Sequence, residues 1–371
     1  MSRHSSPQSS DGAAAYGVVG ARYEVINELG RGAFSATYRA LDRLTGRVLT
    51  IKRLGLAARG ESCADARRAL AEEFELLASL RHPNVITVLD YGFDQDEGPY
   101  LVMDLEEHAV TILEASRGEP VAVQVDLLVQ TLRALHYLHR VGIIHRDLKP
   151  DNVLVVRGQV KVLDFGVSLR RGQPGELDHD LAGTPGYIAL EVLAGERPSA
   201  QSDLYAVGVI AYQLFVGRLP FRARTLPELE QEAAQTVLPR PGDPVPPALR
   251  PVLAKLLHRD PRARQPDAAS VIAELSQAIG APLAAETVAT RESLLQAAPL
   301  IGREREIDTL YGALLATREG HGSTWLVAGE SGVGKSRLLN ELRTRALVDG
   351  VVVLRGQAVD RGGSPYHPWR A

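Results

Sequence analysis

His-Arg-Asp-Leu-Lys-Pro-Asp-Asn, HRDLKPDN at residues 145–152, followed by LDFG at 163–166, is the stretch that decides how this chain is read. Asp147 can accept or orient the proton of a hydroxyl. Lys149, two residues on, can reach a phosphoryl group in transfer. Asn152 and Asp164 offer oxygen ligands to Mg²⁺, a hard cation that prefers them. Phosphoryl transfer needs positioning and charge neutralisation more than covalent chemistry, and these residue types supply both. Eight specified residues and then a specified tetrad are too particular for chance.

Upstream lies GRGAFS, residues 30–35, set between two strand-like runs. Gly30 and Gly32 would let backbone N–H groups approach phosphates closely. Alone, the motif reads equally well as a tight hairpin. Lys52 then ends a strand, and Glu73 lies on the helix predicted next. A Lys held by a Glu can grip the α- and β-phosphates of ATP. Only five of the 42 basic residues are lysines (Lys52, Lys149, Lys161, Lys255 and Lys335), so Arg serves wherever a generic charge suffices. Three of the five fall in phosphate-handling motifs, where a compact charge on a flexible stem has a chemical use.

The wider chain fits a globular protein of two or three domains. Its 371 residues are 45% hydrophobic and 23% charged. The net charge of −3 gives no electrostatic case for nucleic-acid or membrane binding. No apolar run approaches the roughly 18 residues of a membrane span. One cysteine, Cys63, permits no intrachain disulfide and fits a reducing cytoplasm. Residues 1–20 read as a disordered tail. From Tyr23, short β-branched runs with turns at Gly32 and Gly46 predict antiparallel strands. Residues 64–80 predict a helix with Leu70, Phe74 and Leu77 in one stripe. VITVLDYGF and PYLVMDL predict two more strands. Beyond residue 120 the pattern turns helical: VDLLVQTLRALHYLHRVG is amphipathic, whereas SDLYAVGVIAYQLFVG is apolar all round and predicts a buried central helix. A strand-rich half before a helix-rich half implies an α+β chain of two lobes with a cleft between them. Residues 279–298 read as a linker.

These motifs resemble those of a protein kinase domain of the bacterial serine/threonine type, over residues 21–278. HPN (82–84), GTPGY (183–187), SDLYAVG (202–208) and GRLPF (217–221) extend the likeness. The resemblance implies the bilobal kinase fold, with ATP and Mg²⁺ as cofactors and protein Ser/Thr hydroxyls as acceptors. It assigns nucleotide binding to Leu29, Gly30, Gly32, Ser35, Thr37, Thr50, Lys52 and Glu73, makes Met103 the gatekeeper, and opens the hinge with Asp104 and Leu105. Asp147, Lys149, Asn152 and Asp164 become the catalytic set, with Asn152 and Asp164 as metal ligands. Asp203 would brace the catalytic loop, and Glu191 would pair with Arg264.

Some positions depart from that pattern. Ser35 replaces the third glycine of the loop. Thr37 and Thr50 stand where Val and Ala usually line the adenine pocket; Thr50 is larger than Ala and is expected to crowd the base. Leu190 replaces the Pro of a usual APE. The segment from Asp164 to Glu191 has only Ser168 and Thr184 as hydroxyl residues. The acidic run of Glu176, Asp178 and Asp180 is therefore expected to partner Arg146 without phosphorylation. His136 and His139 share a helix without a metal-binding constellation and predict packing or surface roles.

A second phosphate-binding motif follows: GESGVGKS, with Gly329, Gly334, Lys335 and Ser336 at the specified positions. Its expected context is strand, loop, helix, with Trp325 at the start of a core strand and VVVLRG as a further strand. With LIGREREIDTL before it and SPYHPWRA after it, it resembles the front of an AAA-type signal-transduction ATPase module, a partial α/β P-loop segment over 299–371. Hydrolysis there needs an apolar strand ending in Asp or Glu, and Asp360 does not follow such a run. Ala371 is accordingly not expected to be the natural end. The leading reading is a cytoplasmic ATP-dependent Ser/Thr kinase acting on protein substrates, with self-association as a further partner mode. The alternative is a nucleotide-binding pseudokinase or scaffold of a signalling ATPase, which Thr37, Thr50 and Leu190 keep open; an independent NTPase is weaker.

Overall fold

The computed structural model describes residues 17–20, 22–32, 35–54, 77, 80–94, 98–164, 185–221, 228–229, 231–232, 238–287, 290, 302–330, 333–349, 351 and 353. Its strands are β1 (Val18–Val19), β2 (Tyr23–Arg31), β3 (Ser35–Asp42), β4 (Val48–Leu54), β5 (Val88–Asp94), β6 (Gly98–Asp104), β7 (Val110–Thr111), β8 (Val153–Val156) and β9 (Gln159–Val162). Its helices are α1 (Ile112–Ala115), α2 (Val121–Arg140), α3 (Leu190–Leu193), α4 (Ala200–Val216), α5 (Arg250–Leu256), α6 (Ala268–Ile279), α7 (Glu304–Arg318) and α8 (Lys335–Val348). Two compact units divide the chain: Met1–Ser62, Leu89–Leu105 and Ala346–Ala371 form one, Cys63–Val88 and Glu106–Arg345 the other.

The first unit is a six-stranded sheet in the order β1-β2-β3-β4-β6-β5. Alternation along β3 buries Ala36, Tyr38 and Ala40 on one face, since successive side chains of a strand point to opposite faces. Leu49, Ile51, Tyr100 and Val102 complete that core with Val19, Tyr23 and Val25. The expected tail therefore ends sooner than residue 20: Val18 and Val19 pair with Glu24 and Tyr23, and Val19 is fully buried. The Tyr100 hydroxyl requires glycine on either side of it. A Cβ on Gly20 would lie 2.0 Å from that oxygen, and one on Gly92 2.3 Å. Arg22 closes this end by donating to Asp42 at 2.8 and 2.7 Å and to Asp90 at 2.9 Å.

The second unit packs helices around α4. That helix buries twelve of its residues, from Ser202 to Leu214, as its all-round apolar sequence predicts. Gly217 ends it at φ +77°, a conformation glycine adopts without penalty. Helix α2 starts at Val121, a turn before the predicted stretch, and lays Leu128, Leu132, Leu135 and Leu138 into the core. Of the helix predicted over 64–80, only Leu77 and Leu80 are described; Leu77 is helical and both are buried. HPN anchors the chain that follows: Asn84 Nδ2 donates to Val160 O at 3.0 Å, and the His82 ring stacks on Tyr137 at 4.9 Å. Burial, reinforced by the charges of Lys161 and Arg133, pushes His82 down to about 4. Its neutral Nδ1 accepts the Asn84 N–H at 3.1 Å.

Glu191 and Arg264 meet as expected, 2.7 and 2.8 Å apart in a two-pronged pair with side chains 7% and 0% exposed. The guanidinium also donates to His258 O at 2.7 Å and lies 4.8 Å from the Tyr205 ring centre. Leu190 opens α3, where the first N–H has no intrahelical acceptor, so the absence of Pro leaves Glu191 in place.

The segment around the second phosphate motif differs from expectation. Helices α7 and α8 share a small core of Ile307, Leu310 and Leu338 with Val327 and Leu342. The predicted strand between them does not form: residues 321–330 carry no strand, Trp325 is 52% exposed and Leu326 92%. Trp325 is thus not a core residue; its Nε1 donates to Ser323 Oγ at 3.0 Å. A strand of a parallel sheet is stable only between hydrogen-bonded neighbours and under covering helices, and no described residue pairs with this run. Residues 351 and 353 lie outside any strand, and the rest of VVVLRG falls mostly outside the described residues. Among the described residues no helix is long and apolar enough to cross a membrane.

Two outcomes follow from this packing. Arg264→Ala leaves Glu191 charged and buried without its partner, so urea unfolding should show a loss of about 3–5 kcal/mol. In a Trp369→Phe protein, fluorescence from Trp325 should be red-shifted and readily quenched by acrylamide; blue-shifted, shielded emission would show the run buried.

Candidate active site

In the first unit, strand register collects the predicted nucleotide-binding residues on the sheet face opposite its core. Gly30 pairs with Thr37, Thr37 with Lys52, and Lys52 with Leu101. The next row runs Arg39, Thr50, Met103. Directly paired residues of antiparallel strands share a face, so Thr37, Lys52, Thr50 and Met103 form one patch. Lys52 and Met103 are both 8% exposed, and Thr37 and Thr50 are half-buried. Gly32 N donates to Ser35 O at 2.8 Å and closes the turn between β2 and β3. Leu29 is half exposed on β2. Asp104 ends β6 and pairs with Arg47 at 3.1 Å, and Leu105 follows it. Glu73 lies outside the described residues, as do Phe165 to Thr184 with Glu176, Asp178 and Asp180.

The second unit brings together the other set. Lys149 Nζ donates to Asp147 Oδ2 at 2.9 Å. Asn152 Nδ2 donates to Asp147 O at 2.7 Å and to Asp147 Oδ2 at 3.2 Å. Asp147 keeps 41% of its side chain exposed and Lys149 32%, whereas Asn152 is buried. The carboxylate is thus oriented from inside and open outside. Asn152 also ties the loop to the strand that leads to Asp164, because Leu163 N donates to Asn152 O at 2.9 Å. His145 is fully buried, and burial lowers its pKa. Its Nε2 lies 2.9 Å from Leu163 O; a carbonyl only accepts, so Nε2 carries the proton.

Asp203 on α4 fixes this loop from below. Its Oδ2 accepts the His145 N–H at 2.8 Å, and its Oδ1 the Arg146 N–H at 2.9 Å. Arg146 has φ +69° and Asp164 φ +59°, values a non-glycine residue holds only when its surroundings impose them. His139 joins the same carboxylate, Nε2 to Oδ2 at 2.8 Å. Sequence reading assigned His139 a packing or surface role. Its spacing of three from His136 gave no sign that the two rings face different partners.

The donor set fits magnesium. Both amide hydrogens of Asn152 are engaged by Asp147, which leaves its side-chain oxygen with no donor among the described residues. No cluster of three or more His, Cys, Asp or Glu suited to a metal exists among the described residues. Magnesium bound through one or two protein oxygens completes its octahedron with water and phosphate oxygens, so a sparse set suits a metal carried with a nucleotide.

At the second motif, α8 begins at Lys335, and Gly334 turns into it at φ +94°. Lys335 Nζ donates to Gly329 O at 2.8 Å and to Glu330 O at 2.7 Å, which folds the loop around its own lysine. Ser336 is exposed. A helix start of this kind presents unpaired N–H groups suited to an anion.

The protein kinase domain family matches residues 23–274, and the AAA ATPase domain family matches 299–371. A probable serine/threonine-protein kinase of Streptomyces coelicolor is 36% identical over 212 residues, covering 55% of this chain and 31% of that protein. Serine/threonine-protein kinase PksC of the same organism is 32% identical over 68% of this chain and 48% of its own length. Serine/threonine-protein kinase pkn3 of Myxococcus xanthus is 30% identical over 77% of this chain and 58% of its own length. The chain thus spans from about a third to a little over half of these relatives. With the family match reaching from Tyr23 to Glu274, the chain belongs to the protein kinase family.

Proposed function

We propose that this protein transfers the γ-phosphate of Mg·ATP to serine or threonine hydroxyls of protein substrates, in the cytoplasm where ATP is supplied. One observation carries the reading: the Asp147 carboxylate is held by Lys149 and Asn152 and still open to an acceptor. Asp147 accepts the hydrogen bond of the acceptor hydroxyl and aims its oxygen at the phosphorus. Lys149 neutralises charge on the phosphoryl group as it moves. Asn152 and Asp164 hold Mg²⁺, which when bound offsets the phosphate charge. Gly30, Gly32, Lys52 and the patch around Thr37, Thr50 and Met103 bind the nucleotide, with Lys52 gripping its phosphates. Residues 21–278 form the kinase domain in this reading, and 299–371 a regulatory ATPase segment whose Gly329, Gly334, Lys335 and Ser336 bind a second nucleotide.

Thr50 lies directly across from Met103 on the nucleotide face. Its extra bulk and hydroxyl favour weak ATP binding, so Thr50→Ala should lower the KM for ATP. An unchanged KM would show that the base does not meet this side chain.

Transfer of labelled γ-phosphate to the protein itself and to a generic basic substrate is the direct test. Wild type should label Ser or Thr, and label should vanish when Mg²⁺ is chelated. Asp147→Asn should slow transfer by about 10²–10⁴-fold, the usual contribution of a positioned base, and Asp164→Ala should abolish it. ATP binding without transfer in wild type would instead favour a nucleotide-responsive scaffold.

A further inference from the structure

The segment expected to be a linker does not leave the kinase unit freely. Residues 281–287 run along α2, held at three places. At the start, Ser276 Oγ donates to Ala281 O at 2.7 Å and accepts the Leu283 N–H at 3.1 Å. In the middle, Arg133 Nε donates to Ala284 O at 2.8 Å. Near the end, Glu286 Oε1 accepts a hydrogen bond from Arg140 Nη1 and lies 3.7 Å from His136 Nε2. Thr287 and Thr290 then bond reciprocally, N to Oγ1, at 2.7 and 3.2 Å, and Thr290 is buried. Arg133, His136 and Arg140 follow an i, i+3, i+7 spacing and so form one stripe along α2. Glu286 meets two members of this stripe, Arg140 and His136.

The last turn of α2 therefore has two attachments. Arg140 and His136 hold the strap, and His139, between them, bonds to Asp203 beneath the catalytic loop. The carbonyls of this turn are capped by the N–H groups of Val141, Gly142 and Ile143, so the hold that the strap adds is on the side chains of Arg140 and His136. Arg140 is half exposed, so its pair with Glu286 is weak and can open.

We infer that the 281–287 strap is a positioning device for the catalytic loop. Seated, with Glu286 on Arg140 and His136, it steadies the turn that carries His139 to Asp203. Released, it loosens that turn and the backbone that aims Asp147. The chain continues from the strap toward the segment matching the AAA ATPase domain, so a rearrangement there would act on the strap first. Glu286 and Arg140 are positioning residues, acting through His139 and Asp203. The catalytic consequence rests on the phosphotransfer reading above; the structural one does not.

Glu286→Lys in the full chain places a cation against Arg140 and His136. Amide exchange across residues 136–147 should accelerate, and kcat should fall about two- to fivefold with the KM for ATP unchanged, a size expected of a partly exposed ion pair. Combining Glu286→Lys with Arg140→Glu restores the pair with its signs exchanged and should recover both readouts. Exchange unchanged in Glu286→Lys, or a charge-swapped protein no better than the single variant, would overturn the inference. Absence of transfer in wild type would sink the phosphotransfer reading, while amide exchange would still decide the strap.

Discussion

One buried carboxylate organises the loop that carries Asp147. Asp203 is 2% exposed and accepts hydrogen bonds from two consecutive backbone N–H groups and a histidine ring. Withdrawing a carboxylate from water is costly unless donors replace the lost hydration, so the loop and the carboxylate depend on each other. The loop needs an acceptor that holds Arg146 in a left-handed conformation, and Asp203 needs the N–H groups which that conformation presents. Helix α4, apolar on every side, supplies the low-dielectric surroundings in which such bonds are strong.

The same logic recurs away from the site. Arg264 has no solvent-exposed side-chain surface, yet Glu191, two backbone carbonyls of 258–259 and the carbonyl of Gln201 engage all its prongs. It joins α3 to the loop before α6. In the first unit, Arg22 plays the corresponding part among Asp42 and Asp90. Hydrogen bonding to Asp42 outweighs burial and raises the Arg22 guanidinium pKa beyond its already high value. Closed charge networks thus hold the frame, while Asp147 and Lys149, proposed to meet substrate and phosphoryl group, stay partly open.

The strap on α2 adds a connection of another kind. Its ties are few and partly exposed, unlike the closed networks around Asp203 and Arg264. That contrast separates a frame that must not move from an attachment able to open and close.

Residue chemistry and local period were enough to propose a catalytic set and to find the longer strands of the first unit and the buried helix α4. HRDLKPDN specifies a reaction because Asp, Lys and Asn at that spacing have few other uses. Alternation along SATYRALD specifies a half-buried strand because side chains of a strand alternate between faces. What the sequence left open were properties of partners distant along the chain. His139 looks like any helix histidine until Asp203, sixty-four residues later, is folded against it. Val18 and Val19 read as tail because a two-residue strand has no period of its own. TWLVAG has the composition of a core strand, but a strand needs neighbours, and only the fold shows that none of the described residues pairs with it. Residues 281–287 lack periodicity, and their place on α2 rests on three side chains whose spacing means nothing until the segment lies beside them. Sequence by itself determined which chemistry the residues suit; tertiary structure alone decided which groups meet, because hydrogen bonds and burial depend on distance in space rather than along the chain.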